Sequence, residues 1–182
     1  MGVGQDTMEL ADAALLSRFC EGDTAAFECL YLRHRGGLYG YALSLALDAG
    51  AAADAVQETW LVLVQQAERL AGVENLRAYL YRSVRNRLVD ELRRRQRERA
   101  ATRQLALVKP RHTGIPADDA EALNAALEGL PAEQREVVLL RIYGGLKFGE
   151  VAEVTGENVK TVESRHRLAL EKLHEALGGM QE

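Results

Sequence analysis

The chain has 182 residues, 47% of them apolar, with 23 Lys and Arg against 27 Asp and Glu for a formal charge of -4, three prolines and two cysteines. Apolar content near half excludes a disordered chain, two cysteines exclude a disulfide scaffold, and the length suits one domain or two small ones. The longest uncharged run, Gly36 to Leu47, has twelve residues, well short of the ~20 that a membrane-spanning helix needs. The N-terminus lacks a basic start followed by an apolar run, and Asp6 breaks the Gly2 myristoylation pattern, so the cytoplasm is the expected compartment.

All three prolines lie at 110, 116 and 131, and the first 109 residues contain none. That permits an almost wholly helical N-terminal part. Apolar residues agree, recurring at steps of three and four: Leu15, Leu16 and Phe19; Phe27, Leu30 and Tyr31; Leu38, Tyr41, Ala42 and Leu45; Val56, Trp60, Leu63 and Val64. No stretch alternates as a strand would. Gly22-Asp23 and Asp48-Ala49-Gly50 punctuate the run, and residues 71–75 (AGVEN) form a loop before the next helix.

That helix spans Leu76 to about Arg99, with an apolar stripe of Leu76, Tyr79, Leu80, Ser83, Val84, Leu88 and Leu92. Between Arg77 and Arg111 there are twelve basic residues (eleven Arg and Lys109) and only Asp90, Glu91 and Glu98 as acids, a local +9 that leaves -13 on the other 147 residues. Such a segment is an electrostatic footprint for a polyanion. At about 100° per residue, Arg82, Arg85, Asn86 and Arg93 share one arc, with Tyr81 beside it and the stripe roughly opposite. Guanidinium forks suit phosphate oxygens, and Tyr79 and Tyr81 suit unstacked bases. A solvated charged face is the plainer alternative.

Past residue 100 the pattern weakens, and residues 109–117 (KPRHTGIPA) read as a linker. A second helical unit begins near Asp118. Leu130-Pro131 places proline at a helix start, and Val137, Val138, Leu139, Leu140 and Ile142 carry the helix to Gly144-Gly145. A short helix over about 148–155 follows, then a turn at Gly156. Asn158 is an N-cap for a last helix with the stripe Val159, Val162, His166, Ala169, Leu173 and Ala176. This order is the helix-turn-helix plan, whose last helix enters the major groove N-terminus first, and Lys160, Thr161, Ser164 and Arg165 face away from the stripe. An interaction bundle would share the same spacing.

No Gly-rich phosphate loop, metal-spaced His/Cys group or Ser-His-Asp order is present. Cys20 and Cys29 lie nine apart, on opposite faces of any one helix, and read as small buried hydrophobes. His112 and His174 have no evident partners. Neither an enzyme nor a cofactor or metal is expected.

Three blocks in order resemble the extracytoplasmic-function (group IV) sigma factors of bacterial RNA polymerase. Residues 54–60 (DAVQETW) resemble the polymerase-binding helix, 75–94 (NLRAYLYRSVRNRLVDELRR) the promoter-melting and minus-ten-reading helix, and 130–177 the minus-thirty-five-reading domain. The resemblance implies an all-α fold of two small domains, residues 1–99 and 118–182, joined by a flexible linker at 100–117 that threads toward the RNA exit path. It implies that Asp54, Gln57 and Glu58, with Trp60 and Leu61, contact core polymerase. Asn75, Arg77, Tyr79, Arg82, Arg85 and Asn86 would take the melted minus-ten strand, with Tyr81 and Arg93 beside them, and the loop at 71–75 would capture a flipped base. Residues 160–167, including Lys160, Thr161, Glu163, Ser164, Arg165 and Arg167, would dock at the minus-thirty-five duplex. Core polymerase, promoter DNA and an anti-sigma factor are the implied partners.

The chain departs from that pattern at several positions. Glu163 stands where a basic residue is usual, and it either accepts from a cytosine N4 group or faces phosphate. His166 replaces a leucine and is expected to pack. Glu157 and Lys147 replace an apolar residue and a capping serine, which weakens the second domain. Val64 stands at the usual tryptophan, with Trp60 one turn earlier. A free-standing helix-turn-helix regulator and a small hydrolase are the rival readings, and residues 54–60 argue against the first. The acidic remainder implies weak, salt-sensitive DNA binding by the chain alone.

Overall fold

Four short polar side chains set where the helices begin. Asp23 accepts from the backbone N–H groups of Ala25 (3.0 Å) and Ala26 (3.2 Å), Asp48 from Ala51 (2.8 Å), Asn75 from Ala78 (3.0 Å) and Asn158 from Thr161 (2.8 Å). Each satisfies donors that a helix leaves unpaired at its start, and each is worth about 1 kcal/mol.

The computed structural model describes residues 9–46, 48–70, 72–102 and 117–178. Its elements are α1 (Asp12–Cys20), α2 (Thr24–Leu45), α3 (Ala49–Gln65), the single turn α4 (Ala67–Leu70), α5 (Leu76–Thr102), α6 (Ala117–Glu128), α7 (Ala132–Gly144), α8 (Phe148–Thr155) and α9 (Val159–Gly178). Among the described residues there is no strand, and no helix is long and apolar enough to cross a membrane. The linker expected at 100–117 lies almost wholly outside the described residues; α5 runs past Arg99 to Thr102, and α6 starts at Ala117. Arg103, Lys109, Arg111 and His112 lie outside them too. Pro131 sits at the cap position, one residue before α7. Gly145 (φ 58°) and Gly156 (φ 75°) end α7 and α8 in the left-handed region that glycine enters freely.

The helices of the first unit bury the expected stripes. Leu15 and Leu16 of α1, Leu30, Leu38 and Tyr41 of α2, Val56 and Leu63 of α3, and Leu76, Leu80 and Val84 of α5 are buried together. His34 is buried with them, its Nε2 2.8 Å from the Asp12 carboxylate, which also pairs with Arg33. Burial raises the Asp12 pKa, but hydrogen bonds and charge from His34 and Arg33 outweigh it and hold the group at about 2.

The core does not stop at the first unit: the two domains share part of it. Val137, Leu139 and Leu140 of α7, Leu146, Val151 and Val154 at α8, and Val162 of α9 belong to the same buried cluster. Only a smaller group, Leu127, Leu130, Val138, Ala169 and Leu173, belongs to the second unit alone. Val159 is 42% exposed and Ala176 is exposed, so the α9 stripe is shorter at both ends than its spacing implies.

Glycines explain how the units meet. A Cβ at Gly37 would collide with the Tyr143 carbonyl oxygen and lie 2.6 Å from the Tyr81 hydroxyl, and one at Gly40 would lie 2.5 Å from the Tyr143 ring. Interior helix glycines cost about 1 kcal/mol each against alanine. Here they let α7 lie directly on the α2 backbone.

Candidate nucleic-acid interface

The first turn of α5 carries the loop side chain expected to meet a flipped base. Asn75 is half-buried and divides its amide: the oxygen caps α5 through the Ala78 N–H, and the nitrogen donates to Glu150 Oε1 at 2.9 Å. The other Glu150 oxygen accepts from the Lys147 backbone N–H at 2.6 Å. A carboxylate three residues into α8 thus supplies the half of a capping box that reaches back to the N-cap N–H. Beside Asn75 lies a cavity of about 310 Å³ lined by Val73, Asn75, Tyr79, Arg82 and, from α8, Glu153. The sequence placed Tyr79 and Arg82 near this loop; the structure puts them on its wall. Ala71, the first residue of that loop, lies outside the described residues.

One turn further along α5 the second unit takes hold of the arginine face. Arg85 makes a forked pair with Glu136 of α7, Nε to Oε1 at 2.7 Å and Nη2 to Oε2 at 3.2 Å. Tyr41 donates to the same carboxylate at 3.1 Å. The Glu136 hydrogen bond raises the Arg85 pKa, while burial and then the Glu136 charge push the Tyr41 hydroxyl well above its usual range. Arg77 also borders the second unit, its guanidinium 3.7 Å from where a Gly145 side chain would begin.

Tyr81 requires a correction. Expected beside the open arginine arc and suited to base stacking, it is only 2% exposed, its ring 5.3 Å from that of Tyr41 and its hydroxyl donating to the Tyr143 carbonyl at 2.7 Å. The reason is that α7 lies over that flank of α5, and burial raises the phenol pKa. Arg82, Asn86 and Arg93 are exposed as the arc implies.

Much of the local positive charge is already answered. Arg87 faces Glu58 (3.7 Å), Arg93 faces Asp90 (3.6 Å), Arg94 pairs with Glu91 and Glu98, and Arg95 with Glu91 and Asp48. Two hydrogen-bonded arginines, Arg94 and Arg95, hold the Glu91 carboxyl at about 2. Exposed pairs of this kind contribute little stability, because water and salt screen them. Their effect is to leave Arg82 as an exposed guanidinium with no ion pair in its half of the helix among the described residues.

On α3, Asp54, Gln57, Glu58 and Leu61 are exposed, as a partner-binding face requires, but Trp60 is not. The indole is 5% exposed, edge-on to Phe27 (5.8 Å) and Tyr31 (5.3 Å), because position 60 is in phase with buried Val56 and Leu63. It forms the floor of a groove of about 580 Å³ whose walls include Tyr31, Arg35, Tyr39 and Gln57. Leu61 and Val64, 47% and 45% exposed, extend this apolar surface.

In the second unit the first turns of α9 stand open. Lys160, Glu163, Ser164 and Arg167 are exposed. Thr161 uses its hydroxyl at the cap, donating to Asn158 Oδ1 at 3.0 Å, and Arg165 is held by Glu157 at 3.1 Å. Glu157, expected to weaken the turn, thus fastens α9 to it. His166 packs as expected, edge-on to Phe148 at 5.2 Å, and its pKa is lowered by burial and by Arg141, whose guanidinium lies 4.8 Å over the same ring.

Sequence reasoning missed Glu136, Tyr143, Glu150 and Glu153, the groups that meet the α5 face. The signal that could have found them is the spacing of Gly37 and Gly40 within the uncharged run that starts at Gly36, which marks a close helix approach.

Comparison with known proteins agrees with this architecture. Residues 30–98 match the Sigma-70 region 2 family and residues 120–173 the Sigma-70 region 4 family. The ECF RNA polymerase sigma factor SigK of Mycobacterium ulcerans is 30% identical over 172 residues, covering 90% of this chain and 92% of that protein. RNA polymerase sigma factor SigV of Bacillus subtilis is 29% identical over 139 residues, 75% of this chain and 82% of its own length. Among solved structures, the sigma factor RpoE in complex with the anti-sigma factor NepR from Bartonella quintana has a TM-score of 0.74 at 26% identity, covering 84% of this chain and 96% of that one. CnrH in complex with the cytosolic domain of CnrY has a TM-score of 0.69 at 26% identity, covering 92% and 97%. Two sigma domains in order, an almost full-length relative and the helix-turn-helix of α8 and α9 together place the chain in the ECF sigma factor family of bacterial RNA polymerase.

Proposed function

We propose that α3 docks core polymerase through Asp54, Gln57, Glu58 and Leu61, with Trp60 stiffening the surface from beneath. The start of α5 takes the melted minus-ten strand through Asn75, Tyr79, Arg82, Arg85 and Asn86, and the open end of α9 takes the minus-thirty-five duplex. The observation that carries the strand assignment is the cavity where Asn75, Tyr79 and Arg82 converge, of a size to admit a flipped base. Unstacking costs a few kcal/mol, which an aromatic wall and a guanidinium can offset. On α9, Lys160 and Arg167 meet phosphate, while Glu163 and Ser164 face base edges.

The protein catalyses nothing itself and works in the cytoplasm. Because the Bartonella relative was crystallised with an anti-sigma factor, we infer that an anti-sigma factor also holds this chain. Transcription with purified core enzyme tests the whole reading. Promoter-specific starts are expected with the intact protein and their loss with Tyr79→Ala plus Arg82→Ala. A protein giving no specific start at any genomic promoter overturns it.

A further inference from the structure

Between α2 and α3 lies a groove that helix packing does not explain. Its volume of about 580 Å³ falls within the roughly 300–1,000 Å³ typical of small-molecule sites. Trp60 forms the floor, and Tyr31 and Tyr39, 38% and 40% exposed, make the α2 wall with Arg35 midway between them. Two small residues keep the groove wide. Ala53 is exposed on α3, and a Cβ at Gly36 would meet no atom within 4 Å. Tyr143 accounts for Gly37 and Gly40, but nothing packs on Gly36, a glycine that weakens α2 with no contact to justify it. Arg35 is exposed over the Tyr31 ring at 5.9 Å and pairs with no carboxylate among the described residues. The buried Nε1–H of Trp60 has no acceptor among them either.

We propose that this groove binds a small planar aromatic carboxylate. The tyrosine rings of the wall and the indole of the floor take an aromatic body by offset or edge-on contact. Arg35 is the one cation in the lining, and a guanidinium fork matches a single carboxylate. A phosphate dianion finds no second cation there, and the exposed carboxylates of Asp54 and Glu58 on the same helix as Gln57 oppose its extra charge. An aromatic cation is repelled by Arg35. Gln57 lines the groove and also belongs to the surface assigned to core polymerase, so an occupied groove and a docked polymerase exclude one another. That exclusion rests on the docking reading of α3; the site itself does not.

The chain has one tryptophan, so the single indole N–H resonance of the full-length protein reports on the groove floor. Titration with naphthoate is expected to shift that resonance and to show binding about tenfold tighter than neutral naphthamide, the effect of one charge-assisted bond. Arg35→Gln should erase the preference by weakening naphthoate about tenfold while leaving naphthamide unchanged. Gly36→Leu should block both probes without lowering the thermal midpoint, because leucine favours a helix over glycine. Arg69→Gln, at an exposed arginine outside the lining, should change neither. An unmoved indole resonance, equal binding of the two probes, or binding undiminished by Gly36→Leu overturns the proposal. So does tighter binding of an acidic amphipathic helical peptide than of naphthoate, or a dimer that Gly36→Leu dissociates, since these assign the groove to a partner helix or a second copy. Core polymerase affinity, measured with and without saturating naphthoate, tests the exclusion: a several-fold loss is expected, and no loss overturns it. If Asp54→Ala plus Glu58→Ala also leaves core affinity unchanged, it is the docking reading that fails, and the indole shift still decides the site.

Discussion

The two surfaces proposed to face DNA start from similar material and end in opposite conditions. The first half of α5 presents arginines, an asparagine and tyrosines, and it is covered by α7 and α8. The first turns of α9 present lysine, arginine and small polar groups, and they face solvent. The difference lies in the opposing chain: Glu136 and Glu150 pair with groups in the first half of α5 and at its cap, and Glu153 lines the cavity beside them, whereas the carboxylates that meet the arginines of α9, Glu157 and Glu171, belong to its own unit. A helix face is therefore set by its own spacing, but whether it is open is set by residues 51 to 75 positions away.

The largest expected effect tests whether the covered surface belongs to one cooperative body. Leu140→Ala, in the shared core, should cost about 2–5 kcal/mol. Trp60 fluorescence and helical circular dichroism should then move together in urea. Two separated transitions would show that the units unfold independently and that the α5 cover is a loose contact.

Acid distinguishes the units next. Asp12 is held at about 2 against an ordinary 3.8, so its contribution is present above pH 4 and is lost as pH falls toward 2, on the order of 2 kcal/mol. Asp12→Asn should flatten that part of the pH profile of the Trp60 transition. An unchanged acid profile would remove the Asp12 contact to His34 and Arg33 from the account.

On the open side, Asn158→Ala should cost about 1 kcal/mol by removing the cap of α9. Hydrogen exchange is expected to quicken at 159–162 while the α5 amides stay protected. Smallest of all, Arg82→Ala should reduce the slope of log affinity against log salt for single-stranded DNA by about 0.7, one phosphate contact. Arg93→Ala, already facing Asp90, should reduce it less.

Element positions were largely legible because their signals are local. Asp48 and Asn158 announced helix starts, Gly156 a turn, and the three- and four-residue steps gave the buried stripes. The candidate site was legible in part. Arg82 and Asn86 point outward, as their phase on α5 requires. Trp60 was read both as stripe and as contact residue, and the stripe prevailed because an indole gains more from two aromatic neighbours than from water. Tyr81 failed for another reason. Its flank of α5 is apolar enough to be covered only once Gly37 and Gly40 admit Tyr143, and no periodicity within α5 records that.

Asn75 carries a consequence for how firmly this corner of the molecule is set. Its oxygen accepts from the Ala78 N–H and its nitrogen donates to Glu150, so one lone pair and one hydrogen stay free toward the neighbouring cavity. Two bonds from opposite ends of one amide fix which way each remaining group points. A helix cap thereby doubles as an orienting device for the cavity beside it.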